Sequence, residues 1–389
     1  MYPKISDLIN DIFGTHINLP IQSYGMMMAI AFVVGGFILN SELKRKEREG
    51  ILKPHTKKII EGLPATPIEI ALSGFITFIL GFKIIGIILD YNFFADHPQE
   101  FILSWKGSWL GGLLAGGFSA YYIWHSKEKK KLPKPKTKFV EIHPHQLTVN
   151  ILFVAVVFGI IGAKLFDVME HLDELVRDPL GTLFSFSGLT FYGGLILAAI
   201  AVVFYARKYG IAFEHIADAT APALILAYAV GRIGCQLSGD GCWGIPNTSP
   251  KPHWLSFLPN WLWAFNYPHN VINEGIPIPG CEGQHCFVLQ QPVFPTPLYE
   301  TIICTLFFLV LWGIRKKLRI PGLLFGIYLI LNAFERFFIE EIRVNRNYHI
   351  IGPIELSQAQ IIAIAIFITG VVFSIVFYRK YKHLQTQRI

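Results

Sequence analysis

Apolar residues in this chain fall in nearly unbroken blocks of roughly 20, the length that carries a helix across a bilayer. Polar residues gather between the blocks. Nine blocks qualify, at residues 19–40, 66–90, 107–125, 146–166, 182–207, 215–237, 296–314, 320–339 and 360–378. The pattern predicts an all-α integral membrane protein, a polytopic helix bundle with about nine transmembrane helices in a single domain over residues 1–389.

The connections alternate in charge. Residues 44–58, 127–138, 207–208, 315–319 and the tail from Arg379 hold 24 of the 34 Lys and Arg residues. Basic connections stay in the cytoplasm, so the N-terminus is expected outside and the C-terminus cytoplasmic. Residues 245–292 then form a small extracytoplasmic head, rich in proline with Trp254, Trp261 and Trp263, suited to touching headgroups or substrate. The first 20 residues have no basic n-region and no clear small-residue cleavage site, so no removable signal peptide is expected. Composition agrees with the membrane setting: 16% of residues are charged, against about 25% in soluble domains. The net charge of +7 sits in the cytoplasmic clusters rather than across a surface, which argues against nucleic acid as a partner.

One apolar block ends unusually, in AVGRIGCQLSGDGCWG at residues 229–244. An arginine at membrane depth costs about 2.5–3.5 kcal/mol on insertion scales and survives where it faces a polar cavity or an anion. Arg232 is such a residue, and a glycine-rich turn carrying Asp240 follows it. Glycines admit a ligand close to the backbone and leave amide donors free. An anion site near one membrane face is the expectation.

The topology gathers other polar residues at the same face. Tyr24, Tyr192, Arg232, Tyr299, Glu300, Arg336, Glu340 and Arg343 all fall near the outer ends of their spans. Arg336, Glu340 and Arg343 are spaced i, i+4, i+7, on one face of a helix. Glu340 either neutralises the two arginines locally or belongs to an anion clamp. A clamp beside Arg232 suits a phosphate diester, whose orientation two charge-assisted contacts fix. Arg343 and Arg346 are also exceptions to the positive-inside pattern.

The chain repeats itself as well. Gly81, Lys83, Asp96-His-Pro and Leu110-Gly-Gly-Leu recur as Gly162, Lys164, Asp178-Pro and Tyr192-Gly-Gly-Leu at an offset of 81–82 residues. Cys281 and Cys286 lie in the outer connection, where a disulfide, free thiols or a metal shared with His285 are alternatives. Cys235 and Cys242 flank the glycine turn as a second candidate pair, and Cys304 reads as packing.

Taken in order, Tyr24-Gly25, SGLTFYGGL (187–195), IADATAP (216–222), GRIGCQLSGDGCWG, PTPLYE (295–300) and ERFFIEEIR (335–343) resemble the prolipoprotein diacylglyceryl transferases. That family usually has seven spans, so residues 66–145 read as an added helix pair with a basic cytoplasmic loop. The resemblance implies transfer of a diacylglyceryl group from phosphatidylglycerol to the lipobox cysteine thiol of a prolipoprotein. It implies the bacterial cytoplasmic (inner) membrane, with the site facing the outer leaflet. The partners implied are phosphatidylglycerol, the prolipoprotein signal peptide and membrane lipids, with no cofactor and no metal. It assigns catalysis to Arg232, Arg336 and Tyr192. It assigns phospholipid binding to Arg232, Tyr24, Asp240, Gly244, Tyr299, Glu300, Glu340 and Arg343. Four positions depart from the family pattern: Tyr192 and Phe294 stand where histidines are usual, Cys235 where asparagine is, and Asn332 where a functional tyrosine is. The two missing histidines leave no obvious general base. A divergent member with altered lipid or acceptor specificity is one alternative. Another is a secondary transporter, which needs polar residues in the inner halves of its spans. Asp218 and His215 are the main ones there. A non-catalytic scaffold or receptor would not require arginines on successive outer helix ends.

Overall fold

The computed structural model describes every residue of the chain except 97, 185–189, 345–346, 352–353 and 387–389. His97 and Arg346, and Ser187, Gly188 and Leu189 of the SGLTFYGGL segment, therefore lie outside the described residues. The chain is mostly helical. Its long helices are α1 (Ser23–Arg48), α2 (Pro67–Leu89), α3 (Trp109–Lys129), α4 (Thr148–Glu170), α5 (Phe191–Lys208), α6 (Phe213–Ser238), α7 (Thr296–Ile314), α8 (Leu323–Glu340) and α9 (Gln358–Thr386). Among the described residues, six helices are long and apolar enough to cross a membrane: α1, α2, α4 with the turn before it, α6, α7 and most of α9.

Three details differ from the hydropathy pattern. The block expected at 182–207 is not one helix: Pro179–Phe184 is a short helix of its own, and α5 begins at Phe191. Two basic connections contain paired strands, His55–Glu61 with Lys136–Ile142. An antiparallel pair, Asn347–Ile351 with Ile354–Ser357, lies between α8 and α9. His55–Glu61 and Lys136–Ile142 do not alternate apolar and polar residues, and Ile354–Ser357 alternates over four residues only, so none of them stands out in the sequence.

Two compact units make up the chain. One comprises Met1–Pro3, Ser23–His55 and His143–Ile389, and the other Lys4–Gln22 and Thr56–Ile142.

In the smaller unit α2 and α3 close on each other through glycine. A Cβ added to Gly111 would lie 2.9 Å from the Gly81 carbonyl oxygen, and one on Gly81 would lie 2.6 Å from that of Gly111. No side chain fits at that separation. The Ser108 N–H donates to the Phe82 carbonyl at 2.8 Å, and the Ser108 hydroxyl caps α3 by accepting from Gly111 at 3.1 Å. Lys83 turns its ammonium onto the carbonyls of Phe101, Ser104 and Lys106 at 2.7, 2.5 and 2.9 Å, satisfying acceptors of the α2–α3 connection.

The larger unit contains the same crossing once more. A Cβ on Gly193 would lie 2.6 Å from the Gly162 carbonyl oxygen, one on Gly162 would collide with the Gly193 carbonyl, and the Thr190 N–H donates to Ala163 at 3.2 Å. Phe82, Gly81, Ser108 and Gly111 thus match Ala163, Gly162, Thr190 and Gly193 at the offset read from the sequence. The repeat is a duplicated helix hairpin. The repeated lysine, Lys164, pairs with Asp167 at 2.8 Å. Gly162→Val is expected to destabilise the protein by about 1–3 kcal/mol through overpacking. Gly117→Ala, where a Cβ meets nothing within 4 Å, is the neutral control. Thermal unfolding in detergent compares the two.

α6 is the most buried of the six candidate spans and the centre of the larger unit. Ala221, Ile225 and Ala229 of α6 form a core with Cys304 and Leu311 of α7 and Leu324 of α8. Small residues bring α1 against its other side: Gly234 is 3.4 Å from Tyr24, and Gly35 is 3.4 Å from Ala227, measured from the position a Cβ would take. At the end of α6 where it begins, Asp218 accepts the N–H groups of Gly322 and Phe325 at 2.8 and 3.0 Å and pairs with Lys46 at 3.6 Å. Asp218 is therefore an N-terminal cap for α8, satisfying amides that a helix start leaves open. Buried Glu42 beside it holds Arg45 at 2.8 Å and Arg315 at 2.6 Å.

Candidate active site

The opposite end of α6 gathers most of the candidate residues. The helix stops because Gly239 takes a left-handed conformation (φ 64°) and its N–H closes on the Cys235 carbonyl. Gly241 (φ 87°) continues the turn, and Asp240 accepts the Cys242 N–H at 3.2 Å. The chain then pairs with two other segments. Gly244 donates to the Phe294 carbonyl at 2.9 Å, Ile245 donates to the Ile342 carbonyl at 2.8 Å, and Gly244 bridges Arg343. A Cβ on Gly244 would collide with the Ile342 carbonyl. Its amide is already engaged, so what Gly244 supplies is the close approach of three strands of backbone. That approach brings the end of α6, the start of α7 and the end of α8 together.

The side chains then interlock. Arg232, on the last turns of α6, sets its Nε against Glu300 of α7. The Tyr228 hydroxyl, one turn earlier, accepts from Arg232 Nη2 at 3.2 Å and donates to the same Glu300 oxygen at 2.5 Å. The other Glu300 oxygen takes Arg343 Nη1 at 3.3 Å. Arg336 on α8 pairs with Glu340 at 2.9 Å, and Glu340 accepts the Ser357 hydroxyl at 2.8 Å. Glu300 is 0% exposed and Glu335 2% exposed, and Glu340 is buried as well. Buried ions hold only where paired and hydrogen-bonded, and this end of the helices is built as interlocked Arg–Glu pairs. Arginine is suited to it, because its fork keeps donors in reserve after one carboxylate is satisfied. Nη1 of Arg336 is buried with no hydrogen-bond partner among the described residues.

The residues singled out in the sequence sort themselves by these contacts. Arg232, Glu300 and Arg343 come together on one shared carboxylate, with Arg336 and Glu340 paired on α8. Arg343, however, is not on the helix: α8 ends at Glu340. The i+7 position is pulled off the helical face by its backbone bridge to Gly244, so Arg343 reaches Glu300 rather than Glu340. Tyr24 opens α1 at 41% exposure, its backbone against Gly234. The Tyr299 hydroxyl donates to the Leu262 carbonyl at 2.7 Å, tying α7 to the head. Tyr192 stands half-buried in the first turn of α5, beside the Gly193–Gly162 crossing. Tyr228, Glu335 and Ser357 were not anticipated. Tyr228 had one sign, its position four residues before Arg232.

The thiols divide in two. Cys281 and Cys286 form a disulfide in the head, while Cys235, Cys242 and Cys304 are free. Cys304 is packing in the α6–α7–α8 core. Arg232 Nη1 lies 3.6 Å from the Cys235 sulfur. One ligand atom each from Cys235, Asp240 and Cys242 lies within 4.8 Å of the others. Contact with Cys235 pulls the Cys242 thiol below its usual range. The head itself is anchored at its base by Trp243, Tyr267, Leu289 and Val293. The Met1 ammonium donates to Pro268 at 2.8 Å. Trp254 and Phe257 remain exposed.

Comparison with known proteins gives this geometry a family. A family model for prolipoprotein diacylglyceryl transferase matches residues 12–141 and 133–376. A phosphatidylglycerol–prolipoprotein diacylglyceryl transferase of Leptospira interrogans is 29% identical over 220 residues, which cover 50% of this chain and 61% of the relative. Its counterpart in Bacillus cereus (strain 03BB102) is 27% identical over 295 residues, covering 75% of this chain and 94% of the relative. The Bacillus cytotoxicus enzyme is 28% identical over the same length. The match to the Leptospira relative thus spans less than two thirds of that protein, and the Bacillus matches nearly all of theirs. With a family match running from the first long helix into the last, the chain belongs to the prolipoprotein diacylglyceryl transferase family.

Proposed function

We propose that this protein transfers the diacylglyceryl group of phosphatidylglycerol to the cysteine thiol of a prolipoprotein, forming a thioether and releasing glycerol phosphate. The observation that carries the reading is the buried carboxylate of Glu300 holding Arg232 and Arg343 together. The ends of α6 and α8 thereby present fixed guanidinium groups around one carboxylate of α7, with Arg336 alongside on Glu340.

The reaction needs that arrangement. The substrate sulfur attacks the terminal glycerol carbon, the carbon–oxygen bond to phosphate breaks, and the bonding pair stays on the phosphate oxygen. Negative charge grows on the phosphate as it leaves. Donors already oriented in a site of low dielectric stabilise that growth without reorganising. Arg232 seats the phosphodiester, and Arg336, with a donor in reserve, meets the leaving phosphate. Glu300, Glu340 and Tyr228 hold the guanidinium groups in place. Tyr24, Asp240 and Gly244 line the approach beside the glycine turn. Tyr299 fixes the head above it.

In the same reading the nine long helices all span the bacterial cytoplasmic membrane, with the N-terminus and head outside and the C-terminus in the cytoplasm. The site then faces the outer leaflet, where an exported signal peptide brings its lipobox cysteine. The α2–α3 hairpin is an accessory to a seven-helix core, and Lys83 serves its connection rather than the lipid.

Purified protein incubated with phosphatidylglycerol vesicles and a lipobox peptide is expected to yield a thioether-linked diacylglyceryl peptide by mass spectrometry. Absence of that product, with the protein folded, would falsify the assignment. Tyr192 is read as a positioning residue, its hydroxyl orienting the headgroup or the thiol. Tyr192→Phe is expected to lower the rate by about 10- to 1,000-fold, as for one lost oriented donor. If Phe and His variants both match wild type, the position is packing at the glycine crossing.

A further inference from the structure

Among the described residues, Glu335 is the buried carboxylate at this end of α8 that the arrangement above leaves unused. It is buried in α8 immediately before Arg336, and neither carboxylate oxygen has a hydrogen-bond partner among the described residues. The charged and titratable groups around it come from every neighbouring element. Tyr228 and Arg232 face it from α6, Glu300 and Cys304 from α7, Arg336 from its own helix and Arg343 from beyond it. Glu300 is held by two arginines and a tyrosine, and Glu340 by Arg336 and Ser357. Glu335 has no such clasp.

Charge counting gives this residue a task. With all six groups ionised, Arg232, Arg336 and Arg343 balance Glu300, Glu335 and Glu340. A phosphodiester brings one more negative charge into a site where uncompensated charge is costly. The carboxylate that no arginine grips is the one most readily neutralised. The leaving phosphate, in turn, ends the reaction one proton short. Tyr192 and Phe294 stand where the resemblance puts histidines, so neither supplies an imidazole.

We propose that Glu335 is a lipid-coupled proton carrier: it takes up a proton as the phosphodiester seats on the arginines, and passes it to the departing phosphate oxygen. The sulfur–carbon bond forms, the carbon–oxygen bond breaks, and its electron pair accepts the Glu335 proton. The proton shed by the substrate thiol then replaces it, so protons and charge balance over the cycle. The inference rests on the phosphatidylglycerol reading of this site.

Calorimetric titration of the full chain with phosphatidylglycerol, in two buffers of different ionisation enthalpy at pH 8.5, measures the proton directly. Wild type is expected to take up close to one proton per lipid bound. Glu335→Gln is expected to bind lipid within a few-fold of wild type and to take up none. In turnover that variant is expected to lose about 10²–10⁴ in kcat, the usual worth of a positioned proton donor, with little change in KM, and Glu335→Asp to recover part. Wild type that binds lipid without a proton change overturns the proposal, and that arm needs no variant to fold. Equal proton uptake or equal kcat in Glu335→Gln overturns it too. Wild type that neither binds nor turns over phosphatidylglycerol instead overturns the lipid-site reading, and this inference with it.

Discussion

Arg232→Ala is expected to lose diacylglyceryl transfer by at least about a thousandfold. Two effects add. The first is direct: a fixed donor to the phosphodiester disappears, and removal of one such donor in other enzymes costs about 10²–10³ in rate. The second runs through Glu300, which keeps Arg343 and Tyr228 but loses its nearest cation. With Arg232 gone, the end of α6 has no guanidinium, and Glu300 is left to draw Arg343 alone onto itself. Arg232→Lys keeps the charge but not the fork, so it is expected to recover only part of the activity. Product formation by all three proteins at matched membrane expression is the measurement. Near-normal turnover by the alanine variant would remove Arg232 from the lipid site.

Glu300→Ala should have the largest effect on stability. Glu300 is wholly buried and carries Arg232, Arg343 and Tyr228 at once. Removing one partner of a buried ion pair costs about 3–5 kcal/mol, because the other charge is stranded. Here two are stranded together. Unfolding in detergent is expected at markedly lower temperature, with little folded protein recovered. Glu300→Gln keeps the shape and the tyrosine hydrogen bond but leaves the arginines unpaired, so it is expected to fall between. If either variant unfolds like wild type, the shared carboxylate is not what joins α6 to α7.

Much of this was legible in the hydropathy pattern. The block at 296–314 coincides with α7, because a proline marks its first turn and a basic cluster follows its end. The duplicated hairpin could be read from Gly81, Gly111, Gly162 and Gly193, since close helix crossings admit nothing larger. Arg343 was misplaced for a definite reason. Its spacing from Arg336 implied a continuing helix, and the backbone pairing with Gly244 that ends the helix involves residues a hundred positions apart. Tyr228 was hidden as an aromatic in an apolar block. Glu335 was visible in ERFFIEEIR, but a sequence does not say which of three nearby carboxylates a cation will clasp and which it will leave.

The glycine crossing that closes α2 on α3 has a topological consequence. A hairpin is an even step: the chain returns to the side it left, so every helix after it keeps its direction. Its helices are zipped to each other by backbone contact and by Lys83, so the unit carries its own cohesion. In the proposed topology, duplicating one helix alone would reverse the sidedness of α6, α7 and α8 and turn the arginine ends to the opposite compartment. Growth by hairpins conserves parity, and with it, in the proposed topology, the side that the arginine ends face.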